Sequence, residues 1–188
     1  VLGAAARRGE PGVEVPPVLD APTVAARMAE LAGRVSRAAD LDALVGVTVD
    51  GLAELLGYEH SLLALRDEAG ERLYVIASHG YDTQGVGSEL GVGDGPIGLA
   101  AERGSAVRVG ALGQMRKYGN TVRRSYEADG VRSVRETPLP SLPGAQSLVA
   151  VPAMAMGQLI GVLVVESRQP VAYDDTDAQM LGVVATLV

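Results

Sequence analysis

Apolar residues at Val24, Met28, Leu31, Val35 and Ala38 follow the three-and-four spacing of a narrow helical stripe, which suits a helix that pairs with another helix. Thr23, directly after Pro22, is placed to cap it, and a helix is predicted over residues 23–39. A second run carries Leu41, Leu44, Val45, Thr48, Leu52, Leu55 and Leu56. Asp40 before it can accept from the free amides of a first turn, and Gly57 after it can close the last turn. The wider apolar face of this second helix is expected to lie on a sheet.

The pattern then shortens to strand-length runs. Ser61–Arg66 and Arg72–Ser78 flank the turn residues Asp67-Glu68-Ala69-Gly70 and predict a β-hairpin. Glycines crowd positions 80–98, Pro96 opens a short helix to Arg103, and Ala106–Val109 reads as a brief strand. Leu148–Met154 and Leu159–Glu166 form a second hairpin across Ala155-Met156-Gly157. A last helix begins around Asp174-Asp175-Thr176-Asp177, whose carboxylates suit the positive helix end, and continues through Ala178, Leu181, Val184 and Val188. Hairpin-paired strands with helices gathered at the ends predict an antiparallel sheet in an α+β domain.

Two stretches fall outside this pattern. Residues 1–22 hold Pro11, Pro16, Pro17 and Pro22 with little apolar periodicity and read as a tail or linker ahead of a single domain over 23–188. Residues 111–146 are polar, basic and Pro-punctuated, far longer than an ordinary connection of about 4–6 residues, and read as a lid or binding segment.

Composition removes several kinds of chemistry. The 188-residue chain has no cysteine, so disulfides, thiolate metal sites and Cys nucleophiles are excluded. A formal net charge of -7 and a pI near 4.8 argue against direct nucleic-acid binding. No apolar run is long enough to span a membrane, which gives the expectation of a cytoplasmic protein. The chain lacks an initiator Met and stops at Val188 inside a helical pattern, so a covalently linked output domain is expected beyond it.

Candidate chemistry is sparse. Gly93-Asp94-Gly95-Pro96-Ile97-Gly98 matches the dinucleotide fingerprint in spacing, but its neighbours do not follow a strand, long helix and parallel strand. A helix start that attracts anions and glycines needed only for positive φ remain the two readings of that turn. The long segment carries Arg116, Lys117, Arg123, Arg124, Arg132 and Arg135 with Tyr118 and Tyr126, a set able to hold an anionic or aromatic ligand, or a solvated loop whose cations meet Glu127, Asp129 and Glu136. His60 and His79 lack a second ligand at metal-binding spacing, and Ser88 lies outside a nucleophile elbow. Glu166, at the end of an apolar strand, would hold a ligand amine if it faced a pocket; its position favours the strand's emergence into solvent.

Several segments, taken in order, resemble the GAF domain, a small-molecule sensory module of bacterial signalling proteins and cyclic-nucleotide phosphodiesterases. They are Leu52-Ala53-Glu54-Leu55-Leu56-Gly57, the run Gly91 to Ala101, Ser147 to Pro152, Gly157 to Ser167, and Asp174 to Leu181. The resemblance implies a central antiparallel sheet, with terminal helices packed on one face and a ligand pocket with a long loop on the other. It also implies a homodimer paired through the first and last helices. The chain departs from the cyclic-nucleotide members, whose signature needs a Phe that is absent here, and from the sulfoxide-reductase and bilin-linked members, which need Cys.

The resulting expectation is a regulatory, non-enzymatic sensor binding a small anionic or aromatic ligand, with no cofactor or metal named by the residues. The candidate contacts are Ser78, His79, Ile97, Tyr118, Arg123, Arg124, Tyr126, Ser147, Val149 and Val151. The alternative is a ligand-free module for dimerisation and signal relay.

Overall fold

Capping chemistry sets most of the element boundaries in the computed structural model, which describes residues 20–82, 85–112 and 142–188. Helix α1 (Ala21–Val35) begins earlier than the periodicity predicted, because Asp20 and not Thr23 is its cap: Asp20 Oδ1 accepts from the Thr23 amide at 2.9 Å. Pro22 then sits in the first turn, where its missing N–H is not needed. Helix α2 (Leu41–Leu56) runs between the two residues expected to bound it. The Asp40 carboxylate accepts from Ala43 N at 2.8 Å, and Gly57 closes the helix in the left-handed region at φ +78.

Strands β1 (Ser61–Arg66) and β2 (Arg72–His79) form the first hairpin, and Asp67 Oδ1 fixes its turn by accepting from the amides of Glu71 and Arg72. Strand β3 (Glu89–Gly91) pairs with the start of β2. The hydrophobic pattern missed it, since three residues among glycines carry too little alternation to register as a strand. Helix α3 (Gly95–Arg103) and strand β4 (Val107–Val109) follow. Strands β5 (Ser147–Ala155) and β6 (Gln158–Ser167) make the long second hairpin, and helix α4 (Asp175–Ala185) starts at a capping box formed by Asp174 and Asp177.

The six strands lie in the order β3-β2-β1-β6-β5-β4, with antiparallel pairing throughout. The central pair, β1 with β6, sets Leu62 opposite Val164 and Leu63 opposite Leu163. Alternation along these strands divides the interior in two. Leu63, Val149, Val151, Leu163 and Val165 pack beneath α1, α2 and α4 with Leu31, Val49, Leu52, Leu181 and Val184. Leu62, Ala64, Val75, Leu148, Ala150, Val162 and Val164 face the other way, against Ile97, Ala100 and Ala101 of α3 and the chain at Leu112, Leu142 and Ala145. A strand covered on both faces reads as a continuous apolar run, as β5 and β6 do. The expected architecture is therefore present: an antiparallel α+β sheet, with the terminal helices on one face and α3 with the flanks of the long segment on the other.

Two glycines test the packing in opposite directions. A Cβ on Gly98 would sit 2.4 Å from the Gly91 carbonyl oxygen and 3.0 Å from Gly93 N, both backbone, whereas one on helical Gly46 would meet nothing within 4 Å. Gly98→Ala is expected to lower the unfolding free energy by about 1–3 kcal/mol through overpacking. Gly46→Ala should raise it by up to about 1 kcal/mol, the helix-propensity difference between the two residues. Chemical denaturation of both variants beside the wild type measures the two shifts.

Candidate functional site

The glycine-rich turn before α3 has a steric explanation. Gly93 and Gly95 lie at φ +92 and +60, and the bare Cα of Gly98 lets the helix start rest on the Gly91 carbonyl. Gly93 N donates to Gly98 O at 2.9 Å, closing the turn on itself. The nine-residue α3 then leads into β4, which pairs antiparallel with β5. A dinucleotide site, with its long helix and parallel return strand, is not what this turn builds.

Polar groups gather at the other end of the same face, where β1 begins and β6 ends. Glu166 does not emerge into solvent as its position had suggested. It lies opposite Leu148 of the second core and is 7% exposed. The Leu142 amide donates to Glu166 Oε2 at 3.1 Å, so the carboxylate fixes the chain ahead of β5. The Glu166 amide donates to the His60 carbonyl at 2.9 Å, which extends the β1–β6 pairing by one bond.

Tyr81 brings a hydroxyl to this carboxylate. The oxygen is buried and has no well-aligned hydrogen bond among the described residues. Burial, reinforced by the negative charge of Glu166, raises the Tyr81 pKa and keeps the phenol protonated. The His60 ring stands edge-on to Tyr81, with centroids 5.9 Å apart and planes at 75°. Burial and the nearby Arg168 guanidinium lower the His60 pKa, partly opposed by Glu59 and Asp82, so the imidazole is held neutral. Ser78, opposite Leu62 in the β1–β2 register, lies on the same face.

The structure divides the predicted contacts. Ser78 lies on the Glu166 face, and Ile97 is buried in the same second core from α3. Val149 and Val151 instead point into the core beneath α1, α2 and α4, so the sheet separates them from Ser78 and Ile97. Their parity in the unbroken apolar run of β5 was invisible without a pairing partner to fix it. His79 turns toward α2, where its Nδ1 lies 2.7 Å from Asp50 Oδ1. Ser147 Oγ donates to the Gln169 carbonyl at 2.7 Å, a structural bond to the chain leaving β6. Tyr118, Arg123, Arg124 and Tyr126 lie outside the described residues.

Tyr81 and His60 are not among the contacts predicted from the sequence. Tyr81 follows the first glycine of a glycine-rich stretch and His60 precedes a strand, and neither placement reveals that the two rings meet beside Glu166. A shallow depression of about 350 Å³ lies at the opposite end of β1, lined by Arg66, Val92, Glu102, Arg103, Met154 and Leu159. It contains no buried titratable group. Among the described residues no group of side chains has the makings of a metal site.

Neutral His60 implies a pH dependence with a defined sign. Its folded pKa is lowered, so the unfolded chain binds the proton more readily, and stability falls as pH drops through the unfolded value of about 6.5 toward the folded one. His60→Gln is expected to flatten this part of the profile between about pH 7.5 and 5.5, a range that brackets the free histidine value. Urea denaturation of both proteins across that range checks it, with the slope retained in the variant counting against the assignment.

Comparison with known proteins places this arrangement. The chain superposes on the GAF domain of an Acinetobacter phosphoenolpyruvate-protein phosphotransferase with a TM-score of 0.70 at 20% identity, covering 87% of this chain and 88% of that one. It is similar to a free methionine-R-sulfoxide reductase from Neisseria meningitidis solved with its substrate, with a TM-score of 0.65 at 22% identity and coverage of 87% and 84%. A methyl-accepting chemotaxis protein fragment, residues 122 to 287, gives 0.58 at 21% identity, with 84% and 91% covered. Identities this low speak for the shared fold alone. No curated protein matches the sequence. A family model for the GAF domain matches residues 38–188, the whole sheet with α2, α3 and α4, and the chain belongs to the GAF domain family.

Proposed function

We propose that this GAF domain is the sensory part of a larger cytoplasmic signalling protein. In this reading it binds a small molecule on the face that carries Glu166 and relays occupancy to a linked output domain through its terminal helices. The observation that carries the reading is the buried Tyr81 hydroxyl beside the Glu166 carboxylate, without a well-aligned bond among the described residues. A buried polar atom in that state is costly unless something else completes it.

The chemistry of the cluster suggests what that ligand offers. A carboxylate with neutral hydroxyl and imidazole groups suits a hydrogen-bond donor or an ammonium group at the Glu166 end. The rings of Tyr81 and His60 add a flat apolar wall. The anionic or aromatic class read from Arg123, Arg124, Tyr118 and Tyr126 concerns the other end of such a molecule, and the two readings together describe one that is cationic at one end and anionic or aromatic at the other. Catalysis is not part of the proposal. A thiol-dependent reduction, for one, has no nucleophile in a chain without cysteine.

A second reading, the ligand-free dimerisation module, has its own support. Leu41 and Val183 are 54% and 53% exposed, at the start of α2 and on the outer side of α4. A homodimer joined through the helical layer would cover such residues, and relay would then proceed without a small molecule.

A thermal-shift screen of the 188-residue chain against amino acids, polyamines, nucleotides, aromatic acids and inorganic anions separates the readings. A ligand that binds only the folded state stabilises it by about 2.7 kcal/mol at a hundredfold excess over its dissociation constant. We expect ammonium-bearing compounds among the hits, with the shift lost in Glu166→Gln and reduced in Tyr81→Phe. Dependence on the paired Arg123→Ala/Arg124→Ala change would add the long segment to the site. Silence across the library, with a dimer present in light scattering and weakened by Val183→Asp, would favour the structural relay.

A further inference from the structure

The sheet separates the face that carries Glu166 from the helical layer that holds α4, so a signal between them must pass through the sheet or around its edge. One edge is β4. Its residues Val107 and Val109 pack on the second core, while Arg108 between them points the opposite way and reaches α4. Arg108 Nη1 donates to the Tyr173 carbonyl at 2.9 Å, and Nη2 donates to Asp175 Oδ1 at 2.8 Å. One guanidinium thus spans the last residues of the β6–α4 connection and the first turn of the helix.

The neighbouring backbone repeats the link. The Val171 amide donates to the Gly110 carbonyl at 3.1 Å, and a Cβ on Gly110 would come within 3.3 Å of Val171 Cγ2. Val171 is itself unusual, with φ +52 and 72% exposure. A β-branched residue in the left-handed region is strained, and no burial of its side chain compensates. Two residues beyond Gly110, Leu112 is buried in the second core and donates its amide to the Gln146 carbonyl at 2.7 Å. Pro143, on the other flank of the long segment, accepts from Arg168 Nε at 3.2 Å. Both flanks are therefore tied to the chain that leads into α4.

We infer that Arg108 is a latch that positions the first turn of α4, so that a displacement of β4 or of Gly110–Leu112 on the second face reaches the helix through its two hydrogen bonds. The ion pair with Asp175 is exposed, and exposed pairs add little to folding stability. Its consequence is positional: Arg108 holds one side of the turn while Tyr58, after α2, holds the other by donating to Asp177 Oδ1 at 2.7 Å. Asp177 Oδ2 accepts from Asp174 N at 2.8 Å, so the Tyr58 contact and the capping box share one carboxylate. If Arg108 releases, the turn keeps its cap and its Tyr58 anchor but loses its side-chain link to β4, and what remains at this edge is the Val171–Gly110 backbone bond, which lies ahead of the helix. The strained Val171 marks the connection as the part whose geometry is imposed by its contacts.

The latch rests on α4 being the relay element of the proposed function, but not on any ligand, and its test uses none. Hydrogen exchange is measured at amides 178–180 of α4 in the 188-residue chain, for the wild type, Arg108→Ala, Leu112→Ala and the double variant. Leu112→Ala disturbs the second-face core, and with Arg108 present it should speed exchange in the first turn of α4 by about threefold or more, as expected of residues coupled through one network. In the Arg108→Ala background the same change should leave those amides where Arg108→Ala alone puts them. Slow exchange retained at Leu63 and Val164 shows that the sheet is intact. If Arg108→Ala fails to fold, Asp175→Asn and Arg108→Lys replace it, since each weakens the fork and keeps most of the packing. Multiplicative effects of the two changes, or an α4 first turn indifferent to Leu112→Ala in the wild-type background, would overturn the latch. A ligand hit in the thermal screen with such a result would leave the sensor standing and place its relay elsewhere.

Discussion

Everything in this domain follows from a pair of central strands that are apolar on both sides. Leu62 and Ala64 of β1 face one way and Leu63 the other, and their partners on β6 do the same. Neither face can be left to water, so the sheet has to be covered twice. Three helices cover one side. Among the described residues, the short α3 and the chain around Leu112 and Leu142 cover the other. On that second side the polar groups Glu166, Tyr81 and His60 gather, while the first is covered by helices.

Glu166 sits where this constraint meets chemistry. A carboxylate buried at a strand end has to be compensated, and one of its partners is the backbone amide of Leu142. The residue that gives the second face its charge is thus also one that anchors its covering. Tyr81 is held protonated beside it, and burial with the nearby Arg168 guanidinium lowers the pKa of His60 against the Tyr81 ring. Occupancy at that position would act on the Leu142 anchor as well as on the polar groups.

The fold was legible because its signals are local. Asp40 and Gly57 bound α2 where the sequence placed them, and the turn at Asp67–Gly70 and both hairpins formed as the alternation predicted. The start of α1 shifted because Asp20 and Thr23 are both good caps, and a helix capped at Asp20 places Pro22 in the first turn, where its missing N–H is not needed. The site was legible only in fragments. Ser78 and Ile97 lie on the face that carries Glu166, whereas Val149 and Val151 lie on the other, because β5 is apolar from Leu148 onward and its parity depends on partners far away in the chain. Glu166 was singled out by type and misplaced by environment: a charged residue ending a strand usually meets solvent, and here the flank at Leu142 closes over it. Tyr81 and His60 gave no signal, since what brings them together is a ring contact that neither position reveals in the sequence.

Covering the sheet twice also dictates how its faces can communicate. The two cores share strands but no side chains, so a shift in one is felt in the other through rigid backbone or at an edge. The β3 edge is far from α4, two strands beyond β1, while the β4 edge lies beside β5, on which α4 packs. β4 is also only three residues long, so its pairing with β5 is the least extensive along that side of the sheet. A short edge strand that packs inward through two valines and reaches outward through one arginine can move without breaking the central pairing, and its movement has somewhere to go. The exposed ion pair, the shared capping carboxylate and the strained Val171 all stand along that route. Among the described residues, the β4 edge is thus a place where a small displacement on the second face can reach α4 without repacking the core.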